Sequence, residues 1–473
     1  MPLSAHQYYS QHYPWAELVA LLTCNGDELC NCEFAIEATS DSGHDYYKRY
    51  VWAHTAEELR AKVIRHTGIR ALHFGAFYSA PPNKTDIDAG KSVATRRVLS
   101  FDVDLTDMEQ LKLSGSDANE ALSITACDKH WPVSAMAAFI LRRMLERAFG
   151  YTKLLIVYSG RRGVHVHVFD NAAMNLDDEA RAAVTSYIHC NMDKVGKKAP
   201  DGVRLIMDMH DMRREVWRSF NDFVVSEKAI NLFDNADDRT QFWKRHGFDK
   251  YEKWDKYVNT LNGLVGEMVA QRTGKDAWKL LEQRIRDSKI DWLINNLECS
   301  VLAYVWPRLD ANVTKDAKHL TKVPFASHGK SRRVAVAIHT DRRSIFTFNP
   351  AVDAPSLDHW DPELMAAAVG RFCVKATSRQ DDDNAEPPEH TEPAEPMEVD
   401  IEDLVEDKQQ RQQVRERRRK WARIATCTLG MTYTPEQTDR ILKRLDLDAP
   451  VGGSSEASSD SEAAEQQGGA GAN

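Results

Sequence analysis

The stretch Leu99-Ser100-Phe101-Asp102-Val103-Asp104-Leu105 constrains this chain more than any other. Side chains alternate faces along a strand, so positions two apart share a face. Asp102 and Asp104 therefore project together, while Phe101, Val103 and Leu105 turn towards a core. Two adjacent anions repel each other and resist desolvation, so a half-buried pair of this kind calls for a cation. Hard oxygen ligands suit Mg²⁺ or Mn²⁺, the ions that organise phosphate chemistry. For the pair alone, the alternative is an exposed strand face with two solvated acids.

The rest of the chain has the material for a sizeable core. Its 473 residues, 42% hydrophobic with 11 Trp, fit a globular protein of two or three domains of about 100–200 residues each. No apolar run reaches the roughly 18 residues that span a bilayer. Met1-Pro2-Leu3-Ser4-Ala5-His6 has neither the basic nor the apolar region of a secretory leader. Eight Cys at irregular spacing make no disulfide framework, so a reducing intracellular setting is expected.

The net charge of −9 conceals a segregation. Asp381 to Asp407 holds 13 acidic residues and no Lys or Arg, and residues 451–473 add four acids and no bases. Residues 408–450 carry 11 Lys/Arg against five acids, so residues 1–380 sum to about +2. Overall acidity thus leaves a polyanionic substrate open, to be met by clustered Arg and Lys.

Apolar periodicity predicts a helix at Tyr13–Leu22, strands around Glu33–Glu37 and Tyr46–Trp52, and a helix over Thr55–Thr67 with Thr55 as N-cap. Ala71–Ser79 reads as a strand ended by Pro81-Pro82, and Ala135–Phe149 and Leu176–Val195 as helices. Lys153–Tyr158 and Val164–Phe169 flank Ser159-Gly160-Arg161-Arg162-Gly163 as a hairpin. From about Val195 to Leu302 the pattern is helical and charged, with Trp243, Trp254, Trp278 and Trp292 as packing anchors. Short strands are expected again at Arg332–Ile338 and Ser344–Phe348. Beyond Lys375, an acidic Pro-rich stretch reads as disordered, 408–445 as a basic helical segment, and the end as low complexity.

Two further constellations carry chemistry. In Tyr158-Ser159-Gly160-Arg161-Arg162-Gly163-Val164-His165 the glycines allow close approach of backbone N–H groups to a phosphate. Arg161 and Arg162 add guanidinium forks, and Ser159 and His165 further donors. An ordinary basic hairpin tip is the alternative. Pro307-Arg308-Leu309-Asp310 is followed by Lys322 and His328; taken singly, these read as a turn acid, a surface lysine and a satisfied core histidine.

Taken together, SFDVDLTD, YSGRRGVHVHV and PRLDANVTKDAKHLTKVPFASH, in this order and at these distances, resemble the catalytic small subunit of archaeo-eukaryotic DNA primase, most nearly its eukaryotic form. The resemblance runs over roughly residues 7–350, with weaker likenesses at HQYYSQHYP, CEFAIE, YYKRYVW and GAFYS. It implies an α/β (α+β) fold with mixed sheets and an RRM-like half, its core divided between residues 1–194 and 303–375. A helical subdomain at 195–302 and a disordered acidic tail at 376–473 complete that layout.

For the site, the resemblance implies that Asp102, Asp104 and Asp310 bind two divalent ions, Mg²⁺ or Mn²⁺. Ser159, Arg161, Arg162, His165, Lys322 and His328 would contact a nucleoside triphosphate, with Arg49 and Glu33 near the nucleotide and the second ion. The implied activity is synthesis of short RNA primers on single-stranded DNA from ribonucleoside triphosphates. The implied partners are the primase large subunit and, through it, the DNA polymerase alpha complex of the nuclear primosome; no membrane is expected. His167 shares a face with His165 without an assigned role.

One motif departs from the family. Its zinc loop ends in Cys-x-x-Cys-Trp, whereas Cys127-Asp128-Lys129-His130-Trp131 keeps one Cys and replaces the other with His. Structural Zn²⁺ needs about four ligands, and Cys127 and His130 supply two, with Asp117 a poor third. Arg415-Glu416-Arg417-Arg418-Arg419-Lys420 reads as a solvated helical face, a nuclear-import signal or a partner contact. Two other readings remain at this point: a primase-polymerase of damage tolerance, and a catalytically silent nucleic-acid scaffold. A two-metal nuclease would explain the carboxylates but not the arginines.

Overall fold

The β-branched and aromatic alternation of Cys32–Thr39 (β1), Asp45–Val51 (β2) and Ile69–Tyr78 (β3) builds the first of two sheets. The computed structural model describes residues 2–107, 123–188, 210–226, 231–245 and 263–377 except 265, 269 and 272. β1 lies between β2 and β3, and Ala94–Arg96 (β4) extends the order to β2-β1-β3-β4. The two-residue strand Thr321–Lys322 (β8) also pairs with β3, bringing Lys322 opposite His73. β1 is almost wholly buried, whereas the polar edge strand β2 is mostly exposed.

The second sheet runs Leu99–Asp104 (β5), Gly163–Val168 (β7), Leu154–Tyr158 (β6) and Ala337–Ile338 (β9), in that spatial order. Central β7 is buried along its whole length, which its Val content suits. The helix Ile124–Phe149 packs across β5 and β7. The fold is α+β as expected, but every named ladder is antiparallel rather than mixed. Hairpins and long returns supply the pairings, so no right-handed parallel crossover is required.

Thr55 caps its helix as expected, its side chain accepting from Glu58 N, although the helix ends at Val63. The helix predicted at Ala135–Phe149 begins eleven residues earlier, at Ile124, and carries Pro132 inside it. Proline removes one backbone donor, so Asp128's carbonyl cannot receive its bond from position 132; the apolar face on either side still holds the helix together.

Two strand expectations are corrected. Ser344–Phe348 lies largely within the helix Arg342–Thr347, because Asp341 Oδ1 accepts from Ser344 N at 2.8 Å and caps it. Ile345 is buried and its neighbour Phe346 packs on the same core, which a strand's alternation would forbid. Within Arg332–Ile338 only β9 is strand; Arg332 has φ +56°, the left-handed region that breaks an extended run.

The described part of residues 195–302 is helical, with His210–Ser219, Ala236–Arg245, Gly274–Asp287 and Asp291–Val305 as its longer helices. Trp278 is its anchor, stacked 5.4 Å from Phe233 and bonded through its indole N–H to Asn221. Trp254 and the side chains of Trp243 and Trp292 lie outside what is described. So do the acidic stretch, the segment 408–445 and the basic run at 415–420, while the helix Pro362–Thr377 continues two residues past the expected core boundary. Among the described residues no helix is long and apolar enough to cross a membrane.

Candidate active site

The antiparallel register of β5 and β7 sets Asp102 opposite His165 and Asp104 opposite Gly163. Phe101 and Val103 are fully buried, while the side chains of Asp102 and Asp104 keep 31% and 28% exposure. The strand thus points its two acids out of the core together, as its alternation requires.

Asp310 arrives from 206 positions downstream of Asp104 through backbone contacts. Its N–H donates to the carbonyl of Asp102 at 3.0 Å, and Thr314 Oγ1 donates to the carbonyl of Ser100 at 2.8 Å. Asp310 also caps the helix Ala311–Lys315, its Oδ1 accepting from Asn312 N. Arg97, wholly buried, holds the next segment by donating to Val313 O, Asp316 O and Thr321 Oγ1. Burial, with Arg181 second, lowers its guanidinium to about 9.

The electrostatics follow from this convergence. The Asp102 carboxyl is pushed up to about 7, first by burial, then by the charges of Asp104 and Asp310. Asp107, which closes the same SFDVDLTD motif, is raised by burial and by all three aspartates. It was not singled out by sequence, although its place three residues after Asp104, at the strand's exit, was the available signal. Among the described residues no group of three or more His, Cys, Asp or Glu side chains forms a ready metal shell. Asp310 Oδ1 is engaged by Asn312 N of its own helix. The donor chemistry still suits a hard divalent ion, because Asp102 feels the charges of Asp104 and Asp310, which raise its carboxyl.

The Ser159–Gly163 turn stands beside the acids. Ser159 Oγ accepts from Gly163 N at 3.0 Å, and Arg162 Nη2 reaches Asp104 Oδ2 at 2.9 Å. Gly160 has φ +95°, and a Cβ there would come within 2.8 Å of His328 Cβ. His328 Nδ1 accepts from Lys330 N and Ser331 N, both at 3.2 Å, so its proton sits on Nε2. Burial, then Lys322, Arg161 and Arg162, lowers this imidazole to about 3.

His165 Nε2 lies 3.5 Å from Asp102 Oδ1 and is likewise lowered to about 3 by burial, then by Lys322 and His73. Both histidines are therefore neutral at neutral pH. His167 is fully buried and meets Ser100 Oγ at 2.9 Å through Nδ1, which assigns it to the inner packing of β5. Lys322 is lowered by burial, while Glu37, Asp102 and Asp104 act to raise it.

Glu33 and Arg49 are brought first to each other. Arg49 Nε and Nη2 donate to the two Glu33 oxygens at 2.8 and 3.1 Å, a bidentate pair with Glu33 wholly buried. Tyr78 Oη donates to Glu33 at 3.3 Å, a partner the sequence did not suggest. Arg49 touches the other site segment through Lys318 O at 3.1 Å. Cys127 and His130 fall one turn apart on the helix Ile124–Phe149, and Asp117 lies outside the described residues.

A sequence model described as DNA primase small subunit matches residues 101–339. Three curated proteins bearing that name are similar along most of the chain. The protein from Schizosaccharomyces pombe is 28% identical over 356 residues, 73% of this chain and 74% of its own length. That from Caenorhabditis elegans is 27% identical over 395 residues, covering 78% and 89%, and that from Saccharomyces cerevisiae 27% over 348, covering 70% and 80%.

Proposed function

Because the chain belongs to the DNA primase small subunit family, we propose that it synthesises short RNA primers on single-stranded DNA from ribonucleoside triphosphates. The observation that carries this reading is the meeting of Asp102, Asp104 and Asp310 beside the Arg161-Arg162 turn, Lys322 and His328.

In this reading Asp102, Asp104 and Asp310 hold Mg²⁺ or Mn²⁺. When bound, these ions would lower the charge barrier between a 3′-oxygen and the triphosphate. The protein's own part is positioning. Arg161, Arg162 and Lys322 grip phosphate oxygens, and His328, with its proton fixed on Nε2, is a neutral donor that needs no reorientation. Ser159 Oγ accepts from Gly163 N, and among the described residues its hydroxyl proton remains to be donated. Neutral His165 lines the floor next to Asp102. The 3′-oxygen attacks the α-phosphate, and pyrophosphate leaves along the line of attack. Arg162 exchanges its pairing with Asp104 for phosphate when nucleotide and cation enter, so the two charges neutralise one another beforehand.

The Glu33–Arg49 pair, linked to Lys318, would shape the nucleotide's far side. The primase large subunit, the DNA polymerase alpha complex, the primosome and a nuclear location complete the proposal. A structural Zn²⁺ is not included, because Cys127 and His130 offer two of the four ligands required.

The test is incorporation of labelled ATP on a poly(dT) template, with and without the large subunit. Template-dependent RNA oligomers are expected, and deoxynucleotide preference or no product would overturn the assignment. Arg162→Ala is expected to raise the apparent KM for ATP by about tenfold or more, from loss of a bidentate phosphate contact. An unchanged KM would remove Arg162 from the phosphate site.

A further inference from the structure

We infer that Arg333, clasped by Asp128, is a positioning residue that holds the phosphate-gripping turn and His328 in one arrangement; the inference rests on the primase reading of that turn. Arg333 Nη1 and Nη2 donate to Asp128 Oδ1 and Oδ2 at 2.5 and 2.8 Å. Both side chains are largely buried, at 12% and 17% exposure. Asp128 stands in the second turn of the helix Ile124–Phe149.

From that anchor, bonds run to both halves of the nucleotide grip. Arg333 Nη1 also donates to Tyr158 Oη at 3.4 Å, and Tyr158 Oη donates to the carbonyl of Arg161 at 3.4 Å. On its other side, the Arg333 carbonyl accepts from His328 N at 2.9 Å. Ser331 Oγ, which accepts from Arg333 N, donates to the carbonyl of Gly160 at 2.6 Å. A Cβ at Gly160 would lie 3.2 Å from the Arg333 carbonyl, so the two loops are in contact at this point. One residue thus joins a helix, the end of β6, the arginine turn and the histidine loop.

The physics favours a single geometry. A planar guanidinium held bidentately by a carboxylate has one orientation, unlike a point-charge ammonium. Orientation matters here because a displacement of about 1 Å in substrate-gripping groups can cost about a hundredfold in rate. The ion pair supplies the cross-link between this helix and the turn. A purely architectural salt bridge would instead affect melting while leaving nucleotide affinity alone.

The test compares the full-length wild type with Arg333→Met, Arg333→Lys, Asp128→Asn and Asp128→Glu. It measures Kd for fluorescently labelled ATP, KM and kcat for ATP on poly(dT), Kd for single-stranded DNA, and melting temperature. Arg333→Met and Asp128→Asn are expected to raise both the Kd and the KM for ATP by about tenfold, with DNA affinity unchanged. Arg333→Lys and Asp128→Glu should recover part of that loss. Lower melting temperatures with ATP Kd and KM unchanged would overturn the inference, as would a parallel loss of DNA binding. If Arg333→Met does not fold, Asp128→Asn and Arg333→Lys decide by the same criteria. Wild type that fails to bind ATP sinks the primase reading itself; wild type that binds ATP no better than Asp128→Asn and Arg333→Met sinks the clasp alone.

Discussion

On the proposed two-ion reading, Asp102→Asn is expected to reduce primer synthesis by at least about 10³-fold, because it would remove one of the carboxylates that hold the cations. The same substitution should raise the melting temperature in chelator-containing buffer at pH 8. Burial and two neighbouring carboxylates raise Asp102 from the ordinary 3.8 to about 7, so the folded state holds this proton more tightly than the unfolded chain. Above pH 7 the folded protein carries the full cost of the buried charge; the cost shrinks as pH falls through 7 and vanishes below about 4. Asparagine has no such charge, so its stability advantage should be largest at pH 8 and smaller at pH 5. Adding Mn²⁺ should raise the melting temperature of the wild type and leave that of Asp102→Asn nearly unmoved. Near-normal synthesis by folded Asp102→Asn would remove the carboxylate centre from the mechanism.

Gly163→Ala tests the coupling between the arginine turn and the acid-bearing strand. A Cβ at this position would come 2.3 Å from the carbonyl oxygen of Val103 and 3.3 Å from Asp104 Cα. Those atoms are backbone in a paired ladder, so no side-chain rotation relieves the clash. The strands must separate or the turn must shift, at a cost of about 2–4 kcal/mol. A fall in melting temperature of several degrees is expected, together with at least about a tenfold loss of ATP incorporation measured well below that temperature. Circular dichroism melts and the poly(dT) assay read the two effects separately. A variant with normal melting and normal synthesis would show that β5 and β7 tolerate separation at the site, contrary to this account.

Much of the candidate site's local geometry was legible in short stretches. The shared face of Asp102 and Asp104 follows from strand alternation alone, and the Ser159–Gly163 turn from two glycines between apolar runs. Where local patterns misled, a tertiary contact or a cap had overruled them. Ser344–Phe348 looked like a strand until Asp341 capped a helix there. The helix read at Ala135–Phe149 starts instead at Ile124 and runs through Pro132. Glu33 and Arg49 pair with each other between neighbouring strands, a contact that neither short motif encodes.

By itself, the chain's order of residues determined which groups share a strand face, where tight turns fall, and which segments have enough apolar surface to be buried. Those are local properties, fixed by backbone geometry within a few positions. Only the tertiary structure decided that Asp310 docks on Asp102, that His328 holds its proton on Nε2, and that Arg333 reaches Asp128 across 205 positions. Each depends on long loops closing and on burial that changes the strength of charges, and neither quantity is written in any short stretch of sequence.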